Sequence, residues 1–374
     1  MPRARRPGDL NARVTLPEAF FDDIPMTNHE RVYTGPPQSP PMTSKCPGCC
    51  RESAVRYRLP NIWHQPAGTQ PYEIRWCEQC DLGFLDPRPS ADDLSLFQET
   101  RERFRVTALE QSSPRDFVEK VRMHLAWRVG HGRAGQIDAK RIHSLMGDGP
   151  TSICVLGYGD LDLLVQLRDL GHQVFGIEPN ERRRLDARAK GLELWPGSAE
   201  DLPIQATETA FDAVFLNRDL LTALEPRAAL HNARRLLKSG GYLFAEVPNH
   251  GSYSARRLGP AWSLWEAGNY INYFTTKSLS RFIQDAGYEV KEVLYRRYIT
   301  QFTTEQMRHE QEIWDRLYSS LDRKNQKLPR RKSSIDLWLD LLHTYFLPPA
   351  EKYEIVAIVS TEGSHEGRRE ISSA

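Results

Sequence analysis

No run of about 18 apolar residues occurs in the 374-residue chain, so no segment reads as a membrane-spanning helix. Charge of one sign is not in excess either. Fifty Lys and Arg stand against 49 Asp and Glu, which excludes a global field aimed at nucleic acid or anionic membrane and leaves only a local basic face open. The first residues, MPRARRPGDL, are basic but no apolar h-region follows them, so no secretory signal is expected. Asp9, Glu18, Asp22 and Asp23 argue against a transit peptide, and a cytoplasmic location is the expectation. No internal repeat is present. Cysteine is scarce at six residues, yet four of the six form two C-x-x-C pairs.

What is there divides the chain. Residues 1–44 have little apolar periodicity and contain TGPPQSPPMT, the composition of a flexible arm, with PPQSPP read as a linker and docking in an aromatic groove as the alternative. Residues 45–90 hold the cysteine pairs and short β-like runs such as YEIRW. Residues 91–150 read as a helical linker, with DFVEKVRMHLAWRV its best amphipathic piece. From 151 to 297, strand-like and helix-like segments alternate: SICVLGYG, DLLVQLRDLG, HQVFGIEPN, ERRRLDARAKG, LELWPG, FDAVFLN, PRAALHNARRLLKSGG with a glycine stop, YLFAEVPN, TTKSLSRFIQDAGY, EVKEVLYRR. Such alternation specifies a parallel α/β sheet with helices on both faces. Residues 298–350 read as a helical insertion whose segments EIWDRLYSSL and SIDLWLDLLHTYFL are joined by RKNQKLPRRK. Residues 351–374 supply a last core strand, KYEIVAIVS, and a polar tail.

Zinc takes four thiolates at tetrahedral corners, and C-x-x-C lets one tight knuckle supply two. Cys46 and Cys49 in CPGC and Cys77 and Cys80 in CEQC are therefore the expected ligands of a structural zinc, with redox-active or free thiols as the alternative. The 27 residues between Cys49 and Cys77 can fold as a hairpin, and Cys50 is a bystander. Four protein ligands leave the metal no open position, so it would fold the module and take no part in chemistry.

In an open α/β sheet, ligands bind beyond the carboxyl ends of the strands where strand order reverses. Gly157 and Gly159 let backbone approach such a ligand, and Asp160 is a good first residue for the helix that follows. Glu178, 19 residues past Gly159, ends the second strand, where an acid accepts the ribose hydroxyls of an adenosine. A solvated strand-end acid is the plainer alternative.

The series CPGC, CEQCDLGFLDPRPS, GYGDLD, FGIEPN, GSAEDLP, FDAVFLN, LLKSGGYLFAEVPN and NYFTTKSLSRFIQDAGYEV, in that order, resembles the class I S-adenosylmethionine (SAM)-dependent methyltransferases that carry an N-terminal zinc ribbon. Many of these are similar to small-molecule or sugar methyltransferases. The likeness spans about residues 45–295 plus the last strand. It implies a Rossmann-like sheet with SAM along Gly157, Tyr158, Gly159 and Asp160 and its ribose on Glu178. It also implies adenine near Ala199 and the Glu200–Asp201 region, with Asn217 closing the pocket. Val155 stands where the family usually has an acid, Leu161 replaces a third glycine, and Ser198 replaces an Asp. The family's histidines after the fourth strand and ahead of YFT are missing: NRDLLT stands at the first place, and Asn269 and Tyr270 at the second. Tyr270 and Tyr273 are then the candidates for positioning an acceptor, with Glu266 as a possible base. Trp262 and Trp265 either join them in a flat pocket or fill the core.

The resulting expectation is methyl transfer from SAM to a small-molecule acceptor. The alternatives are an inactive methyltransferase-fold binding protein or, with less behind it, an RNA-binding or RNA-modifying protein. Leu161, in the first helical turn, is expected to crowd the methionine end, weakening SAM binding to the order of 10 μM to 1 mM, and glycine there to tighten it. RKNQKLPRRK, with six positive charges and no acid, reads as a solvated loop, or else as a phosphate contact. SIDLWLDLLHTYFL, apolar nearly all round, is expected to be buried against the core or in a homodimer interface.

Overall fold

The computed structural model describes residues 45–59, 72–90, 94, 117–118, 120–122, 124–125, 138–147, 149–157, 161–217, 219–266, 270–296 and 334–362. The expected arm, most of the linker 91–150, Tyr158, Gly159 and Asp160 of the glycine turn, the helix EIWDRLYSSL and the basic stretch RKNQKLPRRK lie outside these residues.

Three strands come first: β1 (Ala54–Leu59), β2 (Tyr72–Cys77) and β3 (Leu82–Asp86). After helix α1 (Ala139–Met146) the alternation expected from the sequence sets in. It runs β4 (Ser152–Leu156), α2 (Leu161–Asp169), β5 (Gln173–Ile177), α3 (Glu181–Ala189), β6 (Leu194–Trp195), α4 (Ile204–Thr207) and β7 (Phe211–Asn217). It continues as α5 (Asp219–Thr222), α6 (Pro226–Leu236), β8 (Leu237–Pro248), α7 (Tyr253–Leu258), β9 (Asn272–Phe274), α8 (Thr276–Asp285) and β10 (Tyr288–Arg296). The last described elements are α9 (Ser334–Tyr345), α10 (Pro349–Lys352) and β11 (Ile355–Glu362).

Seven strands form the main sheet in the order β10, β11, β8, β7, β4, β5, β6. All neighbours from β6 to β8 run parallel, and only β11 is antiparallel to its two neighbours. This is the mostly parallel, doubly covered sheet that the alternation specified, in the Rossmann-like methyltransferase arrangement that the resemblance implied. The parallel strands are near-continuous apolar runs because both faces are covered. Ile153 and Val155 of β4 pack in one apolar cluster with Ile142, Leu164, Leu167 and Ala187 of α1–α3. Cys154 and Leu156 face the other cluster with Leu230 and Ala233 of α6 and Leu279 and Phe282 of α8. Chain direction sets the ligand side. From β4 the order proceeds to β5 and β6 on one flank, and β7 and β8 lie on the other, so the reversal falls between β4 and β7.

Three findings change the sequence reading. LKSGG does not stop α6; Leu237 already pairs with Phe211, and Gly240 at φ 76° lies where the register shifts ahead of the Ala213–Tyr242 pair. The cysteine-bearing strands do not form a sheet of their own, because their order is β1, β2, β3, β9, so a strand from the methyltransferase core completes it. Helix α9 is not buried all round against the core: Leu341 is covered, but Ile335, Leu339, Leu342 and Tyr345, with Phe346 just past its end, are exposed. Among the described residues no helix is long and apolar enough to cross a membrane.

Candidate active site

Gly157 leaves the carboxyl end of β4 at φ 82°, a left-handed conformation that a side chain disfavours. Its N–H donates to the Ile177 carbonyl at 2.8 Å, which ties the turn to the end of β5. A Cβ at this position would overlap the Asp219 carboxylate. Glycine is therefore required both for its backbone and for its emptiness. Leu161, at the start of α2, is 7% exposed and belongs to the apolar cluster that also holds Val155, Leu164 and Leu167. The expectation that it crowds a ligand is thus corrected: its side chain is core, drawn there by apolar burial.

Glu178 follows β5 and is 1% exposed. Its N–H donates to the Trp195 carbonyl at 2.9 Å. Its Oε1 accepts from the Asn180 N–H at 2.8 Å, and Arg183 lies 3.6 Å from its Oε2. Asn180 also caps α3 by accepting from the Arg183 N–H, so the run EPNERR builds a turn that holds the acid in place. A buried carboxylate needs such partners, and the solvated strand-end alternative does not fit it.

Ala199 is buried in the turn after β6, where the Ser198 Oγ accepts from the Glu200 and Asp201 N–H groups at 3.2 and 3.0 Å. The Glu200 carboxylate accepts from Leu224 and Glu225 N–H at 3.0 and 2.6 Å, just ahead of α6, and Asn232 donates to the Ala199 and Glu200 carbonyls. Glu200 thereby fastens this turn to α6, and its carboxylate is committed to backbone N–H groups. Asn217 is the last residue of β7, in register with Glu246 of β8.

Asp219 was not singled out from the sequence. It opens α5 just past β7, and its carboxylate stands against Gly157. Burial, then the neighbouring Glu178 and, more weakly, Glu200, raise its pKa well above the usual carboxylate range, while Arg183 opposes the shift.

A buried aromatic wall adjoins α5. The Ile271 N–H donates to Leu221 O at 2.7 Å, and Asn272 Nδ2 to Leu220 O and Ala223 O at 2.8 and 2.7 Å. His250 is packed among Trp262, Trp265 and Tyr273, with ring centroids 5.2, 4.8 and 5.1 Å away. Its two ring nitrogens face the Phe274 and Leu264 carbonyls at 3.2 Å each. Burial lowers its pKa to about 4, so the ring stays neutral near pH 7 and donates from one nitrogen only. The Tyr273 hydroxyl donates to Tyr270 O at 2.7 Å, its ring is fully buried, and burial followed by Glu266 raises its pKa. Tyr270, Tyr273 and Glu266 are therefore brought together, as the Tyr270 N–H on Glu266 O at 3.0 Å also shows. Tyr273 itself is part of the wall, with its hydroxyl committed to backbone, and the acceptor-positioning role expected for it does not suit that geometry. The Trp265 Nε1 donates to Gly259 O at 2.7 Å, whereas the Trp262 Nε1 is buried without a hydrogen-bond partner among the described residues.

The Sγ atoms of Cys46, Cys49, Cys77 and Cys80 all lie within 4.8 Å of one another, and Cys49 and Cys77 approach to 3.5 Å. Tetrahedral zinc with bonds of about 2.3 Å holds its sulfurs about 3.8 Å apart, so this donor set fits that ion. The Gly48 N–H points at the Cys46 Sγ at 3.3 Å, and a Cβ on Gly48 would press on Phe282 at 2.9 Å and Cys80 Sγ at 3.1 Å. Cys50 is exposed, and Cys154 lies buried in β4 with its pKa raised by burial to about 12, an inert thiol. The cluster is stitched to the core. Arg227 donates to Gly48 O at 3.0 Å, Thr275 Oγ1 to the Asp81 carboxylate at 2.8 Å, and Arg88 to Ala223 O and Leu224 O at 3.1 and 2.7 Å.

A family model described as a methyltransferase domain matches residues 130–293, the segment that holds β4, Gly157, Glu178 and Asp219. No curated protein matches the chain. Among solved structures, a Thermotoga maritima SAM-dependent methyltransferase, possibly a histamine N-methyltransferase, is 20% identical, with 65% of this chain and 97% of that one covered and a TM-score of 0.39. A putative methyltransferase from Bacillus halodurans is 15% identical, with coverages of 61% and 100% and a TM-score of 0.39. The CcbJ methyltransferase of Streptomyces caelestis is 15% identical, with coverages of 60% and 88% and a TM-score of 0.37.

Proposed function

We propose that this chain transfers a methyl group from SAM to a small-molecule acceptor, with a zinc ion in the four-cysteine cluster holding one wall of the site. The observation that carries the reading is the crevice at the β4–β7 reversal. There a left-handed Gly157 and a buried, pre-oriented Glu178 lie inside the segment matched by the methyltransferase-domain model. SAM, when bound, supplies a methyl group already activated on a sulfonium. The protein's task is then alignment and exclusion of water. Glu178 is placed to accept from the ribose hydroxyls, Gly157 to let backbone lie against the ligand, and the Ala199 turn to flank the adenine. The wall of Trp262, Trp265 and Tyr270 keeps water from the side where an acceptor would enter, and the orphaned Trp262 N–H offers that acceptor a hydrogen bond. Glu266, half-buried beside Tyr273, is the carboxylate in reach of that wall. An amine or an acidic carbon as acceptor would need no stronger base.

The test is incubation of the pure protein with methyl-labelled SAM and an extract of the native host. Label recovered in a small molecule is the expected result; SAM binding without any transfer would overturn the enzymatic reading. One observation favours that second, non-catalytic reading: the imidazole and the phenol of the wall, His250 and Tyr273, are both held on backbone carbonyls.

A further inference from the structure

Three residues, Ala223–Glu225, link α5 to α6, and neither helix supplies partners for the peptide groups between them. The carbonyls of Ala223 and Leu224 accept from Arg88 Nη2 at 3.1 and 2.7 Å. The N–H groups of Leu224 and Glu225 donate to the Glu200 carboxylate at 3.0 and 2.6 Å. These are the two ends of the same two peptide units, 223–224 and 224–225. A cation holds the carbonyl end of each and an anion the N–H end, and every one of these bonds is charge-assisted. Because a peptide unit is planar, with its N–H and C=O pointing opposite ways, a rotation that frees one end frees the other. Asn272 braces the same place: its Oδ1 accepts from Arg88 at 3.2 Å, and its Nδ2 donates to Ala223 O at 2.7 Å.

The two charged side chains come from different parts of the molecule. Arg88 stands two residues past β3, the strand that starts two residues after Cys80, and Arg75 on Asp86 at 2.6 Å fixes the end of that strand. Glu200 stands in the turn after β6, where the Ala199 and Glu200 carbonyls accept from Asn232 of α6 at 3.1 and 3.0 Å. That turn is therefore held by α6 and by the link ahead of α6, and the link is held by Arg88. We infer that Arg88 is a positioning residue for the cofactor: acting through Ala223–Glu225 and Glu200, it sets the turn that flanks the adenine, and so makes nucleoside binding depend on the four-cysteine module. The inference rests on the SAM reading of the crevice and deepens it.

The test is a double-mutant cycle read by calorimetric titration of S-adenosylhomocysteine and 5′-methylthioadenosine, well below the melting temperature. Arg88→Met removes the donors and keeps an unbranched stem; Glu200→Ala removes the carboxylate. Each should weaken both probes by about tenfold, the scale of one charge-assisted bond. The double variant should bind no more weakly than the weaker single one, since both act on the same two peptide units. An arginine with a merely structural role would lower the melting temperature and leave both affinities as in wild type, and that result would overturn the inference. Losses that multiply in the double variant would overturn it too. So would a loss on S-adenosylhomocysteine alone, which would place the effect away from the nucleoside. Where the methionine variant does not fold, Arg88→Gln, which drops the charge and keeps an amide, runs the same cycle under the same criteria. Wild-type protein that binds neither probe would overturn the SAM reading itself, an outcome separate from the others.

Discussion

The four-cysteine cluster and the cofactor crevice are built in opposite ways. In the cluster, each half is a local knuckle: CPGC and CEQC each bring two sulfurs together within one turn, and a single hairpin joins the halves. In the crevice, each group comes from the end of a different strand, and nothing local places Gly157, Glu178 and Asp219 together. The cluster is made by sequence spacing, the crevice by sheet order. The two also differ in how they hold charge. The four thiols of the cluster could hold a metal ion, which would take them as thiolates, whereas the crevice holds Glu178 with an N–H and an arginine. Yet they are not independent. Strand β9 pairs Asn272–Phe274 with Leu82–Phe84 on the cluster side, and Ile271 and Asn272 bind the carbonyls of α5, whose first residue is Asp219.

Metal removal should therefore do more than melt an appendage. Structural zinc contributes on the order of 10 kcal/mol where it organises a small module. Chelation, or Cys77→Ser, should lower the melting temperature of the whole chain. It should also change the fluorescence of Trp262 and Trp265, which lie in the wall beyond β9. About one zinc per chain is expected by metal analysis. A zinc-free protein with an unaltered melting curve would show that the two regions are uncoupled.

Leu161→Gly sharpens the comparison from the crevice side. Deleting a buried leucine costs about 2–5 kcal/mol, and glycine in a helix adds about 1. Denaturant unfolding should show that loss, with no tightening of SAM binding. Tighter binding would mean that the side chain does reach the ligand.

A smaller effect follows from His250. Its folded pKa, lowered to about 4, lies below the ordinary value of 6.5, so the unfolded chain binds the extra proton first. Stability is full above pH 6.5 and declines as pH falls toward 4, by up to about 3 kcal/mol. Asp219 acts with the opposite sign. Its raised pKa adds stability as pH falls through that value, so Asp219→Asn should make the acid-side decline steeper. A decline no steeper than wild type would break the assignment of that shift to Asp219.

Much of the fold was legible because strands covered on both faces need near-continuous apolar runs, and ICVL and AVFL of the parallel strands β4 and β7 and IVAIV of the antiparallel β11 supply them. The cysteine cluster was legible for the local reason already given. Glu178 could be found by its spacing from the glycine turn. Asp219 and His250 could not, since each acquires its role only when distant strands are set side by side. The one signal for Asp219 was an acid just past β7, in NRDLLT, a stretch that reads from sequence chiefly as histidines gone missing. Helix α6 was drawn too long because KSGG looks like a helix stop, when pairing of Leu237 with Phe211 had already begun the strand. Leu161 was misread for a similar reason: a position in the first helical turn was judged by the glycine pattern beside it in sequence, while the core on the face of β4 claimed its side chain.

The central claim, that this crevice holds SAM through the acid at the end of β5, is tested most directly by titrating S-adenosylhomocysteine into wild type and Glu178→Ala. Saturable binding by wild type, weakened in the variant by about 1–3 kcal/mol, or roughly 5- to 150-fold, is the predicted result. Binding that is unchanged in Glu178→Ala, with the variant folded, would contradict it.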